Sequence, residues 1–129
     1  MESKINELLK KYVQSINSCD VGLAREIWSK KDRISFIHPL GYEHSFDEIV
    51  QNFYINTMQK LFSKRDLRIK ELKTSIHGDS ALIEFQWDFF ATVADTNEEI
   101  IHKGRETQFL VFEDNNWKIS HIHYSTKLS

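Results

Sequence analysis

Gly104-Arg105-Glu106-Thr107-Gln108-Phe109-Leu110-Val111-Phe112-Glu113-Asp114-Asn115-Asn116-Trp117-Lys118-Ile119-Ser120-His121-Ile122-His123-Tyr124-Ser125 reads as two strands around a turn at Glu113 to Asn116. Turn-forming Asp and Asn interrupt two runs rich in aromatic and β-branched residues. An arginine and a His-x-His pair inside such strands point to a polar pocket wall, because guanidinium and imidazole are costly to bury without partners. In the second strand Trp117, Ile119, His121, His123 and Ser125 share one face by the period of two, and the Trp and Ile at its start predict that this face is inward. Their companions depend on the loop. A three-residue loop at 114–116 places Arg105, Thr107 and Phe109 beside the histidines, whereas a two-residue turn at 114–115 places Glu106 and Gln108 there.

Working outward from this hairpin, Ala81, Ile83, Phe85, Trp87, Phe89, Ala91 and Val93 line one face of a long preceding strand. Leu82, Glu84, Gln86 and Asp88 line its other, wetter face. His77-Gly78-Asp79-Ser80 joins it to an earlier strand, in which Leu67 and Ile69 give way to Leu72 and Ile76 with opposite parity, predicting a β-bulge near Lys70-Glu71. The first half is helical. Ile5, Leu8, Leu9, Tyr12, Val13 and Ile16 predict an amphipathic helix from about residue 3 to 18. Asp20 can cap a short second helix burying Leu23, Ala24, Ile27 and Trp28. Ile34 to His38 reads as a strand stopped by Pro39, followed by a turn at Leu40-Gly41-Tyr42. Ser45 with Glu48 makes a capping box for a third helix, whose stripe of Phe46, Ile49, Val50, Phe53, Tyr54, Met58, Leu61 and Phe62 runs to about residue 62. That stripe reads as core.

A chain of 129 residues, 40% hydrophobic, fits a single domain over 1–129 with one core. The 17 basic and 19 acidic residues are interspersed, for a net charge of -2, so no broad basic face recommends nucleic acid or an anionic membrane. No apolar run approaches a bilayer span, the start shows no signal peptide, and the single Cys19 fits a reducing compartment; the expectation is a soluble, cytoplasmic protein.

The order α, α, β, α, β, β, β, β predicts the α+β class, helices packed on one face of a curved antiparallel sheet. With that order, Ile34-Ser35-Phe36-Ile37-His38-Pro39-Leu40-Gly41, Gly104-Arg105-Glu106-Thr107 and the closing Trp117 to Ser125 pattern resemble the SnoaL-like branch of the nuclear transport factor 2-like superfamily. That branch is also similar to the association domain of calcium/calmodulin-dependent kinase. Ser45 departs from the Gly that many relatives carry at the start of the third helix. The resemblance implies a cone, a strongly bent sheet wrapped around three helices, with a cavity at its open end, and it implies no single reaction. It also favours the three-residue loop, since relatives keep an Arg with the His pair.

On that reading Arg105 faces inward and needs a counter-charge, which a small carboxylate ligand would supply bidentately. The bland alternative is a structural salt bridge to Glu106 or Asp88. The ligand-binding set is Arg105, Thr107, His121, His123 and Ser125, with Trp28, Trp87, Tyr12 and Tyr54 as walls or hydroxyl donors. His121 and His123 have the spacing of two metal ligands, but a third among His38, His44 and His102 falls into no recognised spacing, so neither metal nor cofactor is expected. His102 reads as solvated on the outer face and His77 as a turn residue. Two functions compete. One is a small-molecule-binding, homodimerising domain, with Phe90, Leu110, Phe112 and Ile122 on the outer face. The other is an isomerase, dehydratase or cyclase with His123 as acid or base and Arg105 as anion anchor.

Overall fold

Helix α1 (Glu2–Asn17) buries Ile5, Leu8, Leu9, Tyr12 and Ile16 on one stripe, as its spacing requires. The computed structural model describes residues 2–128. Asp20 caps α2 (Val21–Ile27), accepting the Leu23 N–H at 3.0 Å. Strand β1 (Ser35–His38) ends at Pro39, and where a bare turn is expected a short β2 (Gly41–Glu43) folds back on it. At the third helix the Ser45 hydroxyl accepts the Glu48 N–H at 3.1 Å, while the Glu48 carboxylate reaches back to the His44 N–H at 2.7 Å.

The α-helical start of that segment, α3 (Phe46–Glu48), passes into a π-helix over Ile49–Gln59, where an ordinary α-helix is expected. Its buried residues, Ile49, Phe53, Tyr54, Thr57 and Met58, come at intervals of four to five, the longer repeat of i→i+5 hydrogen bonding. The Thr57 hydroxyl donates to the Asn52 carbonyl, five residues back, at 2.7 Å.

Four long strands follow: β3 (Phe62–His77), β4 (Ser80–Val93), β5 (Glu99–Glu113) and β6 (Asn116–Thr126). The six strands form one bent, unclosed sheet in the order β2-β1-β6-β5-β4-β3. All neighbours are antiparallel except β1 and β6, which pair in parallel and correct the expectation of a purely antiparallel sheet. β1 follows α2 early in the chain and pairs with the chain's last strand, so no hairpin links the two. The predicted bulge in β3 lies between Lys70 and Lys73, with Glu71 at φ 58°.

Alternation on β4 follows the sequence reading: Ala81, Ile83, Phe85, Trp87, Phe89 and Ala91 are buried against the helices. Arg65 ties the helices to the sheet. Its Nε donates to the Ile16 carbonyl at 3.0 Å, and its Nη1 to Met58 and Phe62 carbonyls at 3.1 and 2.6 Å, so one guanidinium satisfies acceptors where both helical segments end. Among the described residues, no helix is long and apolar enough to cross a membrane.

Gly104 sits opposite Trp87 in the β4–β5 ladder, and the indole lies directly over it; a Cβ at this position would overlap the ring. Gly104→Ala is therefore expected to destabilise the fold by about 1–3 kcal/mol, the cost of overpacking a rigid aromatic. Urea denaturation with near-UV circular dichroism checks this. An unchanged midpoint and unchanged tryptophan bands would show that the indole yields freely.

Candidate functional site

The β5–β6 hairpin decides what faces the helices. Asp114 and Asn115 both have positive φ, 51° and 64°, and form a two-residue turn that pairs Glu113 with Asn116 and Phe112 with Trp117. The three-residue loop expected at 114–116 is thereby corrected. Leu110 opposes Ile119, but Phe109 opposes His121, so Ser120 is an extra residue and β6 bulges there. Trp117 and Ile119 face inward as expected, and past the bulge the inward residues are Ile122 and Tyr124.

This places Arg105, Thr107, His121, His123 and Ser125 on the outer face of the sheet, correcting their inward assignment. They share one face, as the sequence suggests: Arg105 pairs with Ser125 and Thr107 with His123. That face looks away from the helices. Arg105 Nε donates to the Ser125 hydroxyl at 3.1 Å and needs no buried counter-charge. His121 Nδ1 lies 2.7 Å from the Ser35 hydroxyl, and partial burial, followed by the neighbouring His123, lowers its affinity for a proton.

The inner face holds a cavity of about 250 Å³, just below the usual ligand-site range of roughly 300–1,000 Å³. Helix α1 contributes Tyr12, the π-helix Phe53, Thr57 and Met58, β4 Trp87 and Phe89, and β6 Tyr124. Leu40, Leu61 and His102 are exposed and stand at its rim. His102 is thus on the inner parity opposite Phe89, not on the outer face. Of the expected wall residues, Tyr12 and Trp87 line the cavity. Tyr54 turns its hydroxyl to Ser15 at 2.8 Å, and Trp28 stacks on Phe36 with ring centroids 5.8 Å apart; both are core.

Among the described residues one carboxyl faces this cavity. Glu106 is 4% exposed, and burial pushes its pKa up from the ordinary carboxylate value to about 7. Gln108 Nε2 donates to Glu106 Oε2 at 2.7 Å and favours the anion, as do Tyr12 and Trp87 nearby, but desolvation wins. Trp87 Nε1 approaches the carboxyl without reaching hydrogen-bond geometry, and finds no partner among the described residues. Tyr12 keeps its proton well above the usual phenol range, through burial and then through the Glu106 charge; burial does the same for Tyr124.

Behind the wall of Phe53 and Tyr124 lies a second polar group. His38 Nε2 sits 2.7 Å from Glu43 Oε2, and Glu43 Oε1 accepts from Asn52 Nδ2 at 2.7 Å. The imidazole packs on Phe53 and Tyr124 with centroid separations of 5.6 and 6.3 Å. Gly41 leaves room for this pair, since a Cβ there would overlap the Glu43 carboxylate. Among the described residues no group of three or more His, Cys, Asp or Glu is disposed to hold a metal ion.

Sequence reasoning passed over Glu106 because it assigned the inner parity of β5 to Arg105. The signal that finds it is the spacing of Trp117 and Ile119 against Ile122 and Tyr124, an apolar parity change of the same kind that reveals the bulge in β3.

Comparison with known proteins fits this architecture. A nuclear transport factor 2-like superfamily protein from Salmonella enterica serovar Typhimurium is 34% identical, over 98% of this chain and 91% of that one, with a TM-score of 0.92. A hexachlorocyclohexane dehydrochlorinase, LinA type 2, shares the fold at 14% identity and a TM-score of 0.87, over 98% of this chain and 85% of its own. So does a putative dehydratase of the same family from Streptomyces avermitilis, at 13% identity and a TM-score of 0.88, over 98% and 97%. No curated protein matches. The SnoaL-like domain model matches residues 5–129, and the chain belongs to that family within the nuclear transport factor 2-like superfamily.

Proposed function

We propose that this chain binds a small, uncharged and largely apolar molecule in the inner cavity and exchanges a proton with it through Glu106. The observation that carries this reading is a single buried carboxyl, in an apolar cavity, with its pKa raised to about 7. A group half-protonated near neutral pH both takes and returns a proton, which is what an isomerisation or elimination asks of its acid–base residue. A carboxylate ligand is disfavoured in this cavity, because Arg105 lies outside it and the ligand would meet Glu106 as an anion above neutrality. Glu106 thus takes the acid–base role that the sequence reading gave to His123.

Deuterium exchange tests the reading. A panel of small ketones, secondary alcohols and alkyl halides is incubated with the protein in heavy water, and label at carbon is followed by NMR. Glu106→Gln is expected to lower the rate of any exchanged compound at least ~100-fold. Exchange at the wild-type rate in the variant would remove Glu106 from the chemistry.

A second reading concerns assembly. Of the apolar set assigned to the outer face, Leu110 and Ile122 are fully buried in the core, and Phe112 packs edge-on against Trp117 at 5.1 Å. Phe90 remains outside, under the Arg68 guanidinium at 4.5 Å. The outer face nonetheless carries Leu82 beside Phe109 and Phe90 beside Ile101, and Leu82, Phe109 and Ile101 are 42%, 40% and 56% exposed. These pairs stand at opposite ends of the face, with Glu84, Gln86 and Asp88 of β4 between them, and we infer a homodimer through this face. Sedimentation is expected to give twice the 15.3 kDa chain mass, falling to the monomer in Phe109→Glu.

Glu106 also makes stability depend on pH. Its folded pKa, about 7, lies above its ordinary value of 4.5, so the folded state binds the proton more tightly. The stabilisation is full below pH 4.5 and is lost as pH rises through 7, a swing of up to about 3 kcal/mol. Glu106→Gln, which resembles the neutral acid, is expected to match wild type near pH 4.5 and exceed it at pH 8 in thermal denaturation. A variant that tracks wild type across this range would mean that Glu106 does not titrate there.

A further inference from the structure

We propose that Gln108 is the positioning residue of the cavity, its amide donating to the Glu106 carboxylate when that group is charged and turning over to accept the carboxyl proton when it is neutral. This rests on the reading of Glu106 as the proton-exchanging group.

Gln108 and Glu106 are two residues apart on the inner face of β5, so their side chains stand side by side. Gln108 is fully buried. Its neighbours across the ladders are Ile83 on β4 and Ile122 on β6, which offer its amide nothing. A buried amide in such surroundings is costly unless it is hydrogen-bonded, and a leucine would fill the place at lower cost. The amide has one bond, Nε2 to Glu106 Oε2 at 2.7 Å, and its Oε1 has no partner among the described residues.

That bond suits the carboxylate but not an acid protonated on Oε2, the oxygen that the amide faces. When Oε2 takes up a proton it becomes a donor, and a donor facing the amide N–H is repelled. Rotation of the amide about its last side-chain bond brings Oε1 into the place of Nε2, where it accepts the new O–H. One hydrogen bond is made in each state. The groups facing Glu106 leave this exchange undisturbed: Tyr12 from α1 and Tyr124 from β6 both hold their protons through neutrality, and β4 presents Phe85 and the neutral indole of Trp87. His102, on the same face of β5, is exposed at the rim. Gln108 therefore keeps the carboxyl in place while the proton comes and goes.

The test is NMR of protein carrying 13C-labelled Glu and 15N-labelled Gln, titrated from pH 5 to 9. The Gln108 side-chain amide signals are expected to shift with the same midpoint as the Glu106 carboxyl carbon, and to become flat in Glu106→Gln. Gln108→Met, similar in volume and without donor or acceptor, is expected to raise the Glu106 midpoint by about 1 pH unit, since both states lose a bond but the anion loses the stronger, charge-assisted one. Amide signals that stay flat across the wild-type Glu106 titration would place the proton on the other oxygen and overturn the proposal. So would a folded Gln108→Met whose Glu106 titrates as in wild type. The amide measurement needs no variant to fold. Failure of the deuterium-exchange experiment leaves these titrations unaffected, so the two readings fail separately.

Discussion

The pairing of β5 with β6 governs what this protein can do. Glu113 and Asn116 are joined through a two-residue turn whose positive φ values Asp and Asn tolerate, and that turn sets Leu110 and Phe112 against Ile119 and Trp117. One extra residue at Ser120 then reverses the parity of the rest of β6. Side chains alternate strictly along a strand, so each of these two local features exchanges the inner and outer sets wholesale. Together they seal Gln108, Ile122 and Glu106 inside and leave the arginine and both histidines of the hairpin outside.

The consequence is a cavity with little polarity of its own. Tyrosine hydroxyls, two threonines, an indole N–H and one carboxyl line it, with His102 at the rim, and among the described residues no lysine or arginine does. Desolvation then sets the proton affinity of Glu106, against the smaller opposing pull of Gln108, Tyr12 and Trp87. A cation inside would have lowered that affinity and left a permanent anion. Its absence from the groups acting on Glu106 is what brings the carboxyl to the edge of ionisation near neutrality.

Polar groups buried elsewhere are held differently. The Arg65 guanidinium donates to backbone carbonyls where α1 and the π-helix end, and Glu43 holds both His38 Nε2 and Asn52 Nδ2 behind the cavity wall, with His38 Nδ1 finding no partner among the described residues. These bonds tie the helical segments and the β1–β2 turn into one frame. Glu106 has the Gln108 amide as its hydrogen-bond partner, a group that can act as donor or acceptor.

By itself the sequence determined the class, the order of the long elements, the buried stripe of α1, the Asp20 and Ser45 caps, the alternation of β4 and the bulge at Glu71. All of these rest on contacts between residues close in the chain, where periodicity and local hydrogen bonding decide. It also placed His121, His123 and Ser125 together on one face; Arg105 and Thr107 joined them through the family resemblance, and in the structure they do so because the two-residue turn and the bulge at Ser120 compensate. Only the tertiary structure decided which face that is. The choice turns on one residue of loop length and one bulge, and neither changes the local preference of any residue around it. The parallel pairing of β1 with β6 was also beyond local reading, because it joins segments far apart in sequence, and the three-residue β2, folded back on its neighbour β1, is too short to carry a periodic signal. The same holds for the proton affinity of Glu106: an acidic residue in a strand looks solvated until the helices that remove its water are folded over it.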